Sequence, residues 1–443
     1  MKCKRVDGAA KLPTILHITL YTIHITQFNN YTIQQSPTFM NSSKHLHITS
    51  KSISARINLP ASKSISNRAL ILDALSYSPY EIENLAECDD TNVLVAALDS
   101  NDTTFDIGAA GTSMRFLTAF LSKTVGEWTV TGSERMKQRP IKLLVDALNA
   151  LGARIEYIEK EGFPPLKIVG SALLGGEIKL KGNVSSQYIS ALMMIAPSML
   201  KGLKIELEGK IISKPYINMT KQMMAEYGVD VDFTDNTINI EPQEYQPIPY
   251  KVESDWSAAS YWYEILALID NGGVFMQGLG ENSYQGDSKV AELFEQLGVK
   301  TTYMDEGVLI SKGDEITDRM DYDFTHQPDL TQTFAVTCCL KGIPFKFSGL
   351  ESLKIKETDR IAALINELAK LGFVVYEPAE SQLAWDGELC EQAKTINIST
   401  YDDHRMAMAF APAAILMPIT IEHPEVVSKS YPGFWNDFEA LKK

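Results

Sequence analysis

From Asn92 onward the apolar positions switch repeatedly between two spacings. A stretch with apolar residues three to four apart runs into a glycine. A short β-branched alternation follows, then a turn, then a second alternation, so each copy reads as helix, strand, turn, strand. The clearest copy is helical over 144–152, with strands at 153–158 and 166–169. Others place a helix over 223–228 with strands at 229–233 and 237–240, and a helix over 290–298 with strands at 299–303 and 308–310. A fourth has its helix at 361–372 and strands at 373–376 and 383–385. Gly152, Gly228, Gly298 and Gly372 fall 70–76 residues apart, each where a helix would need a left-handed residue to stop. A weaker copy ends near Ser100, before a strand at 103–107, and a helix at 434–441 opens a sixth unit that lacks trailing strands. The pattern predicts an α/β chain of six similar units in two domains.

Pro242, Pro247 and Pro249 crowd a linker ending near Ser254. The strand at 53–59 has no helix of its own and is assigned to the second domain. The chain then crosses twice, near Ala61 and near Ser254. A first domain spans 62–254, and a second combines 46–61 with 255–443. Residues 1–45 read as an extension with three open explanations: a disordered tail, a weak targeting segment, or a stretch upstream of a true start at Met40. The third is favoured. Four of the seven histidines, His17, His24, His45 and His47, precede Ile48 without converging at metal-ligand spacing.

At 443 residues the chain exceeds one ordinary core. Its net charge of −15 argues against nucleic acid or an anionic membrane as a partner and makes local groups of cations informative. The five cysteines (Cys3, Cys88, Cys338, Cys339, Cys390) form no CxxC pair. A reducing, cytoplasmic setting without structural metal is expected. No apolar run is long enough to span a bilayer.

The cations gather where strands turn into helices. Leu59-Pro60-Ala61-Ser62-Lys63-Ser64-Ile65-Ser66-Asn67-Arg68 puts two cations and several hydroxyls in a first helical turn, with Ser62 as the expected N-cap. Cations normally avoid a helix N-terminus, so an oxyanion there would compensate them. Gly111-Thr112-Ser113-Met114-Arg115 opens another helix with close backbone access. Arg135-Met136-Lys137-Gln138-Arg139-Pro140 concentrates cations in a turn, where Arg135 can grip a carboxylate or phosphate. Ser185-Ser186-Gln187 and Ser213-Lys214-Pro215-Tyr216 place hydroxyls at helix starts, as caps or as ligands. Cys88-Asp89-Asp90-Thr91 also precedes a helix, and its acids are read as caps. In Lys356-Glu357-Thr358-Asp359-Arg360 a carboxylate stands between cations that would lower its pKa, while burial would raise it. His404 beside Arg405 in Asp402-Asp403-His404-Arg405-Met406 suits acid–base work near neutrality, and Lys429 precedes Ser430-Tyr431-Pro432. Together these corners predict a site for polyanionic small molecules.

These motifs, with Asp255, residues 257–261 and Pro328-Asp329, closely resemble the 5-enolpyruvylshikimate-3-phosphate synthases of the enolpyruvyl transferase family. They run in family order from about Ser50 to the C-terminus. The resemblance implies two similar domains, each of three βαβαββ units in an inside-out α/β barrel, with the active site in the interdomain cleft. It implies transfer of the enolpyruvyl group of phosphoenolpyruvate to the 5-hydroxyl of shikimate 3-phosphate by a monomer, with no cofactor and no metal. Ser64, Arg68, Ser185, Ser186, Gln187, Ser213, Asp329 and Lys356 would hold shikimate 3-phosphate. Lys63, Gly111, Arg135, Gln187, Arg360, Arg405 and Lys429 would hold phosphoenolpyruvate. Asp329 would take the hydroxyl proton and Glu357 would protonate the methylene carbon, with Lys63 and His404 assisting. Like charges facing across the cleft would hold it open until anions arrive.

Three positions depart from the family pattern: Ala109 where Asn is usual, Phe116 where Pro is frequent, and Ser352 where many members carry Asn. The first two are expected to alter the phosphoenolpyruvate side and the response to glyphosate. Two rivals remain open, a transferase acting on UDP-N-acetylglucosamine and a silent anion-binding protein of the same fold. The first typically uses a mobile-loop cysteine and lacks the Lys-Glu-Thr-Asp-Arg block.

Overall fold

The computed structural model describes residues 42–442, so the readings of the first forty residues, with Cys3, His17 and His24, lie outside the described residues. Buried apolar side chains fall into two clusters. One is drawn from residues 61–252, the other from 46–59 together with 256–441. The two passages between them lie side by side: Ala61 bridges Ser254, Ser62 N donates to Glu253 O at 2.8 Å, and Asp255 N donates to Pro60 O at 2.9 Å.

Within the first core the repeat takes a definite form. Thr104–Asp106 runs parallel to Gly126–Thr131, joined through the helix Gly111–Lys123. The helix Lys142–Ala150 follows, then the hairpin Arg154–Tyr157 and Leu166–Gly170, whose second strand lies antiparallel to Gly126–Thr131. Gly176–Lys181, Leu203–Glu208, Asp232–Thr234 and Thr237–Ile240 repeat that order around the helices Ser186–Ile195 and Lys214–Glu226. In the second core Ser52–Asn58 pairs in parallel with Asn271–Gln277. Leu297–Met304 and Gly307–Ile316 supply its hairpin. The expected stop glycines all have positive φ (Gly152 103°, Gly228 79°, Gly298 83° and Gly372 98°), but the helix expected over 290–298 ends at Glu295 and Gly298 lies inside the following strand.

Two further expectations are corrected. The strand at 373–376 reduces to isolated bridges, Phe373 to Leu389 and Tyr376 to Ala384, leaving Leu383–Trp385 alone beside Phe345–Ser348. The sixth unit does not lack an antiparallel strand. Ser43–Leu46 supplies one, paired with Ile419–Glu422, which itself runs parallel to Asn397–Ile398. The expected end of the extension at residue 45 therefore falls inside a strand. Leu46 is buried while Ser43 and His45 face outward, a pattern too short to register as a strand in isolation.

Among the described residues no helix is long and apolar enough to cross a membrane. What matters for chemistry is that helix N-termini carry the polar motifs. Lys63–Ser76, Gly111–Lys123, Ser186–Ile195, Lys214–Glu226, Arg360–Lys370 and His404–Phe410 all begin at or beside them. Each start offers free N–H groups and partial positive charge.

Candidate active site

Arg360 is the hub. It is the first residue of its helix, 1% exposed, and each arm of its guanidinium meets an acid. Nε donates to Asp403 Oδ2 at 2.7 Å, Nη1 to Asp329 Oδ1 at 3.0 Å, and Nη2 to Glu357 Oε2 at 3.0 Å. Asp403 caps the next helix by accepting from Arg405 N at 2.9 Å, so one carboxylate fixes both arginines. Asp359 caps the Arg360 helix through Ile361 N at 3.1 Å.

Around Asp329 the cations close in. Arg405 Nη2 stands 3.1 Å from Oδ2 and Lys356 Nζ 3.6 Å from Oδ1. From the first core, Tyr216 donates its hydroxyl to Oδ2 at 3.0 Å. Burial would raise the Asp329 carboxyl, but Arg405, then Lys356 and Arg360, hold it well below the ordinary carboxylate range. The competition expected at Glu357 ends the same way. Burial pushes up, while Lys429, Arg360 and Arg139 pull further down. Lys429 Nζ is 3.4 Å from Glu357 Oε1.

Opposite these acids sits Lys63, whose Nζ is 3.0 Å from Asp90 Oδ2. Burial would strip its proton; Asp90, Cys88 and Glu357 outweigh burial and raise its pKa. Ser62 occupies the N-cap position, but its side chain makes no capping bond. His404 differs from expectation. Burial first, then Lys63 and Arg405, press its pKa well below that of a free imidazole, so it is neutral at pH 7 and not poised there. Both of its ring nitrogens are buried without a hydrogen-bond partner, Nδ1 standing 3.6 Å from Asp403 Oδ1.

Arg68 is buried without a carboxylate. It donates to Thr220 Oγ1 at 2.7 Å, Ser64 O at 2.8 Å and Ser190 Oγ at 3.1 Å, and burial draws it down to about 10. Its guanidinium lies 5.4 Å from the Phe116 ring and 5.9 Å from that of Tyr216. Phe116, one of the departures from the family pattern, therefore packs against Arg68. Ser213, in a left-handed conformation (φ 53°), donates its N–H to Thr325 O at 2.9 Å, tying the two cores together beside Tyr216. Ser185 caps its helix by accepting from Gln187 N at 3.3 Å, and Gln187 Nε2 donates to Thr112 Oγ1 at 3.0 Å. Ser186 is buried at the first position of that helix. Gly111 lies against Arg139: a Cβ there would come within 2.5 Å of Nη1. Arg135 is the outlier. Its guanidinium donates to the carbonyls of Glu357 at 3.1 Å and Lys356 at 3.3 Å.

The expected repulsion across the cleft is at least partly offset, because Asp90 stands between Lys63 and Lys429 and further bonds cross the division. Lys429 from the second core reaches Ala109 O at 3.0 Å and approaches Asp90 Oδ1 at 3.9 Å, and Ser428 donates to Asp89 Oδ2 at 2.6 Å. These bonds draw the cores together.

The profile of the family described as EPSP synthase (3-phosphoshikimate 1-carboxyvinyltransferase) matches residues 48–100 and 97–438. The chain belongs to the EPSP synthase family. A 3-phosphoshikimate 1-carboxyvinyltransferase of Bacteroides fragilis is 57% identical over 387 residues, covering 87% of this chain and 94% of that protein. One from Shewanella pealeana is 38% identical, covering 88% and 97%. A solved EPSP synthase of Acinetobacter baumannii superposes with a TM-score of 0.71 at 20% identity, covering 89% of this chain and 97% of that one, which shows the shared two-domain α/β fold.

For an EPSP synthase family member, three side chains in this cluster had little or no sequence signal. Asp90 has the local pattern of a helix cap, yet its carboxylate meets Lys63. Nothing in the sequence sets Arg139 apart from the other cations of its turn. Asp287, in Gln285-Gly286-Asp287, has no local charge pattern to flag it. It is buried, accepts from Ser257 Oγ, and shares a small polar cavity with Ser64, Tyr216 and Asp255. Burial, then the Asp329 charge, raise its carboxyl to about 7. The Ser352 hydroxyl is buried without a partner.

Proposed function

We propose that this chain transfers the enolpyruvyl group of phosphoenolpyruvate to the 5-hydroxyl of shikimate 3-phosphate by addition and elimination, releasing phosphate, as a step of aromatic amino acid (chorismate) biosynthesis. The observation that carries the reading is the Arg360 hub. It sets two ionised carboxylates, Asp329 and Glu357, among Lys63, Lys356, Arg405 and Lys429. An enol ether carbon becomes attackable only as its neighbour is protonated, and the cation that develops needs carboxylates close by. The departing phosphate needs fixed positive charge.

In this account Asp329 takes the 5-hydroxyl proton. Glu357 protonates the methylene carbon and later removes a proton from the resulting methyl, with Lys63 and His404 assisting. An ionised Glu357 cannot act as an acid until its cations are drawn to substrate. Phosphate and carboxylate arriving at Lys429 and Arg360 would do that and raise its pKa. Arg68, with Ser64, Ser185, Ser186, Gln187, Ser213 and Lys356, binds shikimate 3-phosphate. Lys63, Gly111, Arg135, Gln187, Arg360, Arg405 and Lys429 bind phosphoenolpyruvate. For Arg135 this requires release from the 356–357 carbonyls. The reading calls for no cofactor or metal, and for a cytoplasmic monomer whose chain divides into 62–254 and 46–61 with 255–443.

The test is phosphate release with phosphoenolpyruvate and each acceptor in turn. Release with shikimate 3-phosphate alone supports the reading. Release with UDP-N-acetylglucosamine points to the sister transferase, and release with neither to a silent binding protein.

A further inference from the structure

Asp90 is 4% exposed and sends its two carboxylate oxygens to different lysines. Oδ2 lies 3.0 Å from Lys63 Nζ, at the start of a first-core helix, and Oδ1 lies 3.9 Å from Lys429 Nζ, which comes from the second core. Its own backbone is fixed, since Ser113 Oγ donates to Asp90 O at 2.8 Å. Helix capping does not account for the residue, because the N-cap position of Asp89–Asp99 belongs to Cys88. Lys429 is held from two further sides, by Ala109 O and by Glu357.

We propose that Asp90 is a positioning residue of the reaction, aiming the ammonium groups of Lys63 and Lys429 at one point between the cores, where the phosphate of phosphoenolpyruvate meets both. This rests on the function proposed above. Two like charges at close range repel, and a carboxylate between them offsets that repulsion. The groups facing Lys63 are Asp90, the Cys88 thiol, Glu357, Arg405 and His404. Of these Asp90 does most to keep the buried ammonium charged. Without it, only Cys88 and Glu357 remain to offset burial and Arg405, and the Lys63 pKa falls.

The experiment follows phosphate release by the full chain from neutral to alkaline pH, varying each substrate, for the parent, Asp90→Asn and Asp90→Glu. Asp90→Asn keeps shape and removes charge. We expect its kcat/KM for phosphoenolpyruvate to fall about tenfold or more, with the KM for shikimate 3-phosphate within about twofold of the parent. Its alkaline decline should begin at a lower pH than the parent's. Asp90→Glu should restore the parent's alkaline limb. Parent-like kcat/KM and pH dependence in Asp90→Asn overturn the proposal. So does an equal loss toward both substrates without a shift of the limb, which is the mark of lost packing. Should Asp90→Asn not fold, Asp90→Glu decides: a raised KM confined to phosphoenolpyruvate supports the role, and equal changes for both substrates overturn it. A parent that turns over neither substrate overturns the function reading itself, whereas an active parent with an indifferent Asp90→Asn overturns only the role of Asp90.

Discussion

Lys429 holds its ammonium 3.4 Å from Glu357 Oε1, while Arg360 occupies the other carboxylate oxygen at 3.0 Å. Both cations are also proposed ligands of phosphoenolpyruvate, so substrate competes with Glu357 for them. On the proposed function, the carboxylate is ionised before substrate binds and becomes an acid once substrate draws those cations away. Glu357→Gln should leave binding of both substrates measurable by calorimetry and slow turnover by about 10²-fold or more, the scale of lost general acid–base catalysis. Near-normal turnover would remove Glu357 from proton transfer.

Lys63→Met removes the charge opposite that carboxylate. Turnover should collapse while the thermal transition stays cooperative. Activity within a few-fold of the parent would reduce Lys63 to a partner of Asp90.

Gly111→Ala tests a close approach. The added Cβ would stand 2.5 Å from Arg139 Nη1 and 2.7 Å from Nη2, so the guanidinium must move. Arg139 is among the cations holding Glu357 ionised. The variant should raise the KM for phosphoenolpyruvate several-fold and leave that for shikimate 3-phosphate little changed. An unaltered KM would mean that Arg139 yields without consequence.

How much of this was legible in the chain depends on how local each signal is. The 358–360 turn declares itself because cap, cation and helix start are adjacent. Gly152, Gly228 and Gly372 were readable because a left-handed stop is a one-residue demand, whereas Gly298 falls just inside the strand Leu297–Met304, at an irregularity of its pairing. The pairing of Ser43–Leu46 with Ile419–Glu422 was not, since its partner lies some 375 residues away. Asp90 looked like a cap because a helix start explains an acid without further need, and only the fold brings Lys63 and Lys429 to it. Repulsion across the cleft was expected because cations were counted at the corners, while the acids that face them were dispersed along the sequence.

Asp287 supplies a stability test. Its carboxyl is raised to about 7, by burial first and by Asp329 next. A carboxyl raised on folding contributes stability that is fully present below its ordinary value near 4 and is lost as pH climbs through about 7. At about pH 8 the parent carries that cost and Asp287→Asn does not. The variant should melt higher at about pH 8, with the gain shrinking toward about pH 5. A gain that grows on acidification would contradict the assignment.

The central claim is transfer by addition and elimination, and proton and phosphorus NMR of one reaction in D2O tests it most directly. The chain, shikimate 3-phosphate and phosphoenolpyruvate are mixed, and product and phosphate are followed together. Addition converts the methylene into a methyl group, and elimination then removes any one of its hydrogens. The account predicts equal appearance of inorganic phosphate and a new enol ether whose methylene carries deuterium. Product with an unlabelled methylene would contradict the addition step, and absence of both product and phosphate would contradict the function.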